Sequence, residues 1–166
     1  MLSDQNITTL HFISGKLGSG KTTLAKKIAE KQNAIFISED FWLSHLFPEA
    51  IKTFEDYLLY SKRVRKVIET QVVELLQHGV SVVFDFAGNR TADRNWVKSI
   101  FERANVAHVL HYVVASDDLC REQFKKRNLN LPKESKIITD QEFDLITQYF
   151  IPPEQSEGYN IEYHYR

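Results

Sequence analysis

The sequence predicts a three-layer α/β fold in which helices cover both faces of a parallel β-sheet. Its apolar runs are short and continuous, as is typical of strands buried on both faces, and they alternate along the chain with segments of helical periodicity. This order favours parallel strands joined by right-handed crossovers. The 166 residues, 43% of them hydrophobic, are enough for a single domain that spans residues 1–166.

The individual elements follow from these two patterns. Short runs rich in β-branched and aromatic residues predict strands at residues 9–14, 34–38, 80–86 and 108–114, with a fifth strand at 161–165. Apolar residues at helical spacing predict helices at 22–31, 54–78, 92–103, 117–128 and 140–149. Gly79 is expected to end the longest of these helices.

Charge and cysteine content narrow the classes of function. The 21 Lys and Arg residues nearly balance the 22 Asp and Glu residues, so the overall charge does not indicate a nucleic-acid partner and any charged ligand must be met by a local site. Cys120 is the only cysteine, which excludes an internal disulfide and a thiolate metal cluster. No apolar run reaches the length of a membrane span, and residues 1–9 do not resemble a signal peptide. We therefore expect a cytoplasmic protein without a membrane partner.

The first predicted strand leads into a glycine-rich segment that we call the phosphate loop. Its residues fit G-x-x-x-x-G-K-[ST] between a strand and a helix, which is the context that this motif requires: Gly15, Lys16, Leu17, Gly18, Ser19, Gly20, Lys21 and Thr22. Glycines let the backbone curve so that its N–H groups face phosphate oxygens, and the helix N-terminus adds positive potential. A simple turn would have no use for the lysine and threonine that follow the last glycine.

This loop predicts a nucleoside triphosphate site. Lys21 can reach the β- and γ-phosphates, the Thr22 hydroxyl can bind Mg²⁺, and Thr23 completes the predicted nucleotide-binding set. The chain has no N-K-x-D sequence for reading guanine, which favours ATP over GTP.

Carboxylates follow two of the predicted strands, at the sheet edge where α/β proteins bind ligands. Asp85 ends an apolar run and is predicted to hold Mg²⁺ beside Thr22, the alternative being an ordinary turn residue. Asp40 is the predicted general base that takes the proton of an acceptor hydroxyl. Glu39 is the rival base, and either residue could instead cap a helix that starts near Phe41.

With these residues placed, the chain resembles the kinase branch of the P-loop family that includes polynucleotide 5′-hydroxyl kinases, chloramphenicol phosphotransferase and zeta toxins. The resemblance implies a P-loop NTPase fold with strand order 2-3-1-4-5 and an ATP-dependent kinase in which Asp40 is the base. It rests on residues 15–22, Ser38-Glu39-Asp40, the strand at 82–85, Arg94 and Arg127-Asn128.

Arginines near the lid of such kinases contact the triphosphate. Arg127 is the better match to that lid, with Arg121 as a further nucleotide contact. A cation over the transferring phosphoryl group is needed in any case, and Arg94, Arg121 and Arg127 are the candidates, although each could be a solvated charge on a helix. Leu43 and Gln123 stand where relatives often carry arginine, which puts acceptor binding or rate in question.

The stretch after Asp40 is expected to border the acceptor. It is rich in aromatic residues that either line the pocket or belong to the core, and a basic cluster at 62–66 is expected to be solvated. The histidines at 108, 111 and 164 show no metal-ligand spacing and are interpreted as structural. The aromatic residues are Phe41, Trp42, Phe47, Phe54, Tyr57 and Tyr60.

These features together predict a phosphotransferase that moves the γ-phosphate of ATP, with Mg²⁺, to a small-molecule or nucleotide-type hydroxyl acceptor. Two alternatives stay open at the level of sequence. One is a slow nucleotide hydrolase that acts as a switch, in which Asp40 would be dispensable. The other is a nucleotide-binding module without turnover. The identity of the acceptor and the oligomeric state are not predicted.

Overall fold

The computed structural model of the chain describes residues 7–130 and 139–166. Five parallel strands form one sheet in the order β2-β3-β1-β4-β5, as the resemblance implied. The strands are β1 (Thr9–Gly15), β2 (Ile35–Ser38), β3 (Val82–Asp85), β4 (Ala107–Val114) and β5 (Ile161–Tyr165). The helices are α1 (Lys21–Gln32), α2 (Glu39–Leu46), α3 (Phe54–Gln77), α4 (Thr91–Ala104), α5 (Asp117–Leu129) and α6 (Asp140–Gln148).

The two faces of the sheet carry separate apolar clusters. The larger one packs α3 and α4 against alternate residues of the central strands, including Leu10, Phe12 and Phe84. On the opposite face, Ala25 and Ile28 of α1 pack against strand residues whose side chains point to that face, such as Ile13 and Val83. Side chains of successive strand residues point to opposite faces, so a strand buried on both sides is apolar at most of its positions. The three-layer α/β prediction is therefore confirmed, and no helix in the two described ranges is long and apolar enough to cross a membrane.

Helix α2 begins directly after β2: the strand ends at Ser38, and the acidic residues Glu39 and Asp40 are the first two residues of the helix. Ser38 caps the helix, and its hydroxyl accepts a hydrogen bond from the Phe41 amide. Neither Glu39 nor Asp40 is needed as the cap. Both carboxylates lie in the first turn of α2 at the carboxyl edge of the sheet, which is where a ligand of this fold binds.

Arg94 does not have the exposed position expected of a residue that contacts phosphate. Its side chain is 0% exposed and lies on α4 beneath the segment that follows β3. The guanidinium donates to both carboxylate oxygens of Glu157, at 2.8 and 2.7 Å, and to the carbonyl oxygens of Gly88 and Ile151. Because these partners occupy its donors inside the protein, the prediction of a catalytic Arg94 is corrected to a structural role.

We expect Arg94→Met to lower the free energy of unfolding by about 3–5 kcal/mol, since it leaves the carboxylate of Glu157 and two buried carbonyls without their partner. Urea unfolding followed by circular dichroism measures this loss. The matched control is Arg103→Met, because the Arg103 guanidinium is exposed and lies 3.8 Å from Glu69; we expect a change of at most about 1 kcal/mol. Equal stabilities of the two variants would contradict the structural role of Arg94.

Candidate functional site

The phosphate loop joins β1 to α1 at the carboxyl edge of the sheet. Gly18 and Gly20 have φ of 80° and 90°, in the left-handed region that favours glycine. A Cβ on Gly18 would also lie 2.3 Å from the carbonyl oxygen of Cys120 on α5. Glycine is thus required at this position both for the backbone turn and for the close approach of α5. The curved backbone ends at Lys21, the first residue of α1, so the positive end of that helix faces the loop.

Lys21 lies over the phosphate loop. Its Nζ donates to the carbonyl oxygens of Gly15 and Lys16 at 2.8 and 2.9 Å. Burial lowers the pKa of Lys21 to about 8, although the negative charges of Asp85 and Asp40 act in the opposite direction. The Lys21 ammonium therefore loses its proton more easily than that of an ordinary lysine, and bound phosphate would stabilise its charged form.

Thr22 and Asp85 meet between α1 and β3. The Thr22 hydroxyl donates to Oδ2 of Asp85 at 2.7 Å. Burial raises the pKa of Asp85, while the hydrogen bond from Thr22 and the positive charges of Lys21 and Lys26 oppose that rise. A hydroxyl and a carboxylate are oxygen ligands of the kind that Mg²⁺ prefers. These two side chains therefore fit a magnesium ion beside the loop.

Asp40 shares this cleft with the phosphate-binding residues. Its side chain is reachable from solvent, yet the surrounding protein shields it from much of the water. This partial burial raises the pKa of Asp40, and the charges of Asp85 and Glu39 raise it further, while Arg127 and Lys21 oppose the rise. A reachable carboxylate with an elevated pKa can accept a proton from a hydroxyl.

Glu39, the rival base, is committed to a hydrogen-bond network. It is only 2% exposed, and its carboxylate accepts from Ser61, from Tyr57 at 3.2 Å and from Nε of Arg65 at 2.9 Å. Arg65 also donates to Asp93 at 2.9 Å. The geometry therefore favours Asp40 over Glu39 as the base. Arg65 is also an exception to the expectation that the basic cluster at 62–66 is solvated.

The lid arginines on α5 have different surroundings. Arg121 forms an ion pair with Asp144 of α6, and its guanidinium lies 4.8 Å from the centre of the Phe143 ring. Arg127 is exposed one and a half turns further along the helix, where its charge acts on both Lys21 and Asp40. The charge of Arg127 thus reaches Lys21 and Asp40, whereas Arg121 has a partner on the neighbouring helix.

Arg166 contributes a cation that the sequence analysis did not identify. Its backbone N–H donates to the carbonyl oxygen of Val114 at 3.0 Å, which extends the pairing of β5 with β4. A Cβ built on Gly20 would lie 2.7 Å from Nη1 of Arg166, so the guanidinium lies against the phosphate loop. No local motif signals this contact, because it depends on β5 pairing beside β4.

The aromatic stretch after Asp40 divides between core and surface. Phe47, Tyr57 and Tyr60 pack against the larger apolar cluster, whereas Phe41 is 59% and Trp42 is 36% exposed. Phe47, Tyr57 and Tyr60 are therefore core residues, as one of the two interpretations of this stretch held. Phe54, at the start of α3, is also exposed, at 51%. Phe41 and Trp42 lie on α2 directly after Asp40 and are available to a ligand.

The three histidines singled out in the sequence have different surroundings. His108 stacks on Phe101 and accepts from the Asn160 amide at 3.1 Å, as a structural residue would. His111 and His164, in contrast, bring ring nitrogens within 3.0 Å of each other beside Glu162. Sheet pairing thus supplies a proximity that the spacing of these histidines along the chain does not show, and their structural interpretation stays a prediction.

Known proteins are similar to this chain at the level of family and fold. A family model described as an AAA domain, AAA_33, matches residues 10–153. The fold is similar to that of a protein from Chloroflexus aurantiacus J-10-fl, with 18% identity, a TM-score of 0.76 and coverage of 96% of this chain and 88% of that one. None of the curated protein sequences matches this chain significantly.

Two further similar structures were determined with nucleotides or their analogues. The APS kinase CysC of Mycobacterium tuberculosis, in complex with AMPPNP and APS, has 14% identity and a TM-score of 0.66, over 96% of this chain and 88% of that one. Kti12 of Chaetomium thermophilum, in complex with ADP-AlF3, has 16% identity and a TM-score of 0.67, over 94% and 88%. The predicted P-loop kinase-like fold is confirmed by these likenesses.

The lowered pKa of Lys21 predicts how ATP affinity depends on pH. Bound phosphates stabilise the ammonium form, whereas the free protein loses that proton near pH 8; we therefore expect the affinity to fall by up to about tenfold per pH unit above pH 8. Calorimetric titrations at pH 7 and pH 9.5 measure this fall. The control is Lys21→Arg, whose guanidinium stays charged over this range. A fall of the same size in Lys21→Arg would exclude Lys21 as its cause.

Proposed function

Because the chain belongs to the AAA_33 family of AAA domains, we propose that it is an ATP-dependent phosphotransferase that moves the γ-phosphate of ATP to a hydroxyl-bearing acceptor. The observation that carries this proposal is the convergence of three parts in one cleft: the phosphate loop, the Thr22–Asp85 pair and a reachable Asp40. The loop and the pair suit a nucleotide with its metal ion. Asp40 is the part that a binding module would not require.

The phosphate loop would bind the triphosphate through its backbone N–H groups and through Lys21. The Lys21 ammonium would exchange the carbonyl oxygens of Gly15 and Lys16 for oxygens of the β- and γ-phosphates. Thr22 and Asp85 would hold Mg²⁺, which neutralises charge on the phosphates when it is bound. Thr23, the next residue of α1, is exposed at the same helix N-terminus and is proposed as a further phosphate contact.

Asp40 would act as the general base. Its carboxylate accepts the proton of the acceptor hydroxyl as the acceptor oxygen forms its bond to the γ-phosphorus and the bond from that phosphorus to the bridging oxygen of ADP breaks. The raised pKa of Asp40 increases its ability to take that proton. The acid form is then discharged to solvent, which can reach this side chain.

Two arginines would supply the positive charge that the transferring phosphoryl group needs. Arg127 is exposed, and its charge acts on Asp40, so it is proposed to face the γ-phosphate side of the cleft. Arg166 lies against Gly20 and is proposed to contact the phosphates nearer the nucleoside. Arg121 is paired with Asp144, and we propose that it orients α5 against α6.

The acceptor would lie against Phe41 and Trp42. Their exposed rings follow Asp40 on α2, and Phe41 stacks on His45 with ring centres 4.1 Å apart. An exposed aromatic wall next to a general base suits an acceptor that has an apolar or planar part beside its hydroxyl group.

A nucleotide-binding module without turnover is the second candidate function. Leu43 favours it, because this residue is 4% exposed and belongs to the core, so no cation replaces the arginine that relatives often carry there. A slow hydrolase would turn over ATP without an acceptor and without Asp40, and this distinguishes it from both candidates.

Replacement of Asp40 tests the proposal. We expect Asp40→Asn to lower kcat by about 10²–10⁴ through loss of the base, with ATP affinity preserved because the amide keeps the shape of the side chain. ADP release is measured with a panel of hydroxyl metabolites, and Glu55→Gln on the exposed start of α3 is the control. Turnover that survives Asp40→Asn would reject the base, and ATP binding without turnover on any acceptor would favour the module.

The two lid arginines give a matched pair of variants. Arg127→Ala is expected to lower kcat by about 10³-fold, since a cation over the transferring phosphoryl group has effects of this order. Arg121→Ala on the same helix is expected to keep nearly the full rate, because its partner is Asp144. Steady-state kinetics with saturating ATP measure both. A larger loss in Arg121→Ala than in Arg127→Ala would reverse the assignment.

A further inference from the structure

A group of metal-ligating side chains lies on one face of the sheet, across β4 and β5. His111 of β4 pairs directly with Glu162 of β5. His164 is two residues beyond Glu162 on the same strand, so its side chain points to the same face. Two imidazoles and a carboxylate are thus brought together by strand register rather than by proximity along the chain.

The distances among the three groups match those between the ligands of one metal ion. Nδ1 of His111 lies 3.0 Å from Nε2 of His164, and each of these nitrogens lies 3.6 Å from an oxygen of Glu162. All the ligand atoms are within 4.8 Å of one another. In a tetrahedral zinc site with bonds of about 2.0–2.2 Å, neighbouring ligand atoms are roughly 3.3–3.6 Å apart. The two 3.6 Å distances run to different oxygens of Glu162 and the two nitrogens are 3.0 Å apart, so binding of one ion requires a small movement of the exposed Glu162 carboxylate and a separation of the two rings by a few tenths of an ångström.

A third histidine supplies the outer support that metal-bound imidazoles usually have. Nε2 of His111 lies 3.0 Å from Nδ1 of His11 on β1, so donation of the Nε2 proton to His11 leaves Nδ1 of His111 with a free lone pair towards Glu162 and His164. Metal-bound histidines almost always donate their second ring N–H in this way.

We propose that His111, His164 and Glu162 form a binding site for a divalent transition metal, with Zn²⁺ as the best fit, and that His11 orients His111 from behind. Two nitrogen ligands and one carboxylate suit Zn²⁺ better than Mg²⁺, which prefers oxygen. The Glu162 side chain is 60% exposed and that of His164 is 24% exposed, so an ion can enter from solvent and keep water as a fourth ligand.

The ion would join the edge strand β5 to β4. Since β5 leads directly to Arg166, which lies against Gly20, the metal would also stabilise the strand that carries this arginine. The argument for this site does not depend on the proposed phosphotransfer, because none of its ligands belongs to the phosphate loop or to the Thr22–Asp85 pair. The competing explanation is a row of three hydrogen-bonded imidazoles that needs no metal.

Titration of the chelator-treated full chain with Co²⁺ separates the two explanations. Excess Mg²⁺ and ADP are present so that oxygen ligands at the phosphate loop are already occupied. We expect one equivalent of Co²⁺ to give the visible absorption of a tetrahedral site, and Zn²⁺ to displace it. Glu162→Gln and His164→Ala are expected to lose this absorption, whereas His78→Ala, which removes an exposed histidine from the end of α3, keeps it.

The outer role of His11 has its own test. Loss of such a partner costs about 10–100-fold in metal affinity, which we expect for His11→Leu, whereas His11→Asn keeps an acceptor near the position of Nδ1 and retains the affinity. Zn²⁺ at about 100 times its Kd is expected to raise the Tm of the wild type by roughly 5–10 °C and that of Glu162→Gln by much less.

Glu162 is exposed, so Glu162→Gln is expected to fold even if a variant of a buried histidine does not, and it tests the metal site by itself. Absence of the Co²⁺ absorption in the wild type would overturn the metal site and leave the hydrogen-bonded imidazoles. The same holds if Glu162→Gln and His164→Ala bind the metal as tightly as the wild type, or if His78→Ala loses it.

Discussion

The curved backbone of residues 15–22 is the constraint on which the rest of the site depends. Gly18 and Gly20 adopt positive φ angles, and the approach of Cys120 to Gly18 allows no side chain there. This curve starts α1 at Lys21, which places the ammonium over the loop and the Thr22 hydroxyl against Asp85. A loop that turned elsewhere would move the Lys21 ammonium away from the carbonyl oxygens of Gly15 and Lys16 and the Thr22 hydroxyl away from Asp85.

Glu39 and Asp40 are adjacent in the sequence, but their different surroundings give the two carboxylates different roles. Glu39 points into the protein, where Arg65, Tyr57 and Ser61 fix it. Asp40, one residue later on α2, is reachable from solvent, and partial burial together with the charges of Asp85 and Glu39 raises its pKa. A buried carboxylate that is fully hydrogen-bonded is costly to protonate or move, so Glu39 anchors the first turn of α2. That anchor holds Asp40 beside the phosphate-binding residues.

The local parts of this site could be predicted from the sequence because the signals that determine them are local. The glycines and lysine of the phosphate loop, the apolar strands and the carboxylates at their ends are read within a few residues. The rest depends on contacts between distant segments. Arg94 is buried by Glu157, Arg166 reaches Gly20 through the pairing of β5 with β4, and His111 meets His164 across the same pair of strands. These contacts could not be predicted from the spacing of the residues along the chain.

The central claim is that this loop binds a nucleotide mainly through its phosphates, and calorimetric titration with ATP, ADP and adenosine at constant Mg²⁺ tests it most directly. The backbone N–H groups, Lys21 and the start of α1 all act on phosphate oxygens, so the account predicts that ATP binds at least as tightly as ADP and far more tightly than adenosine. Adenosine binding as tightly as ATP, or no binding of ATP at all, would contradict it.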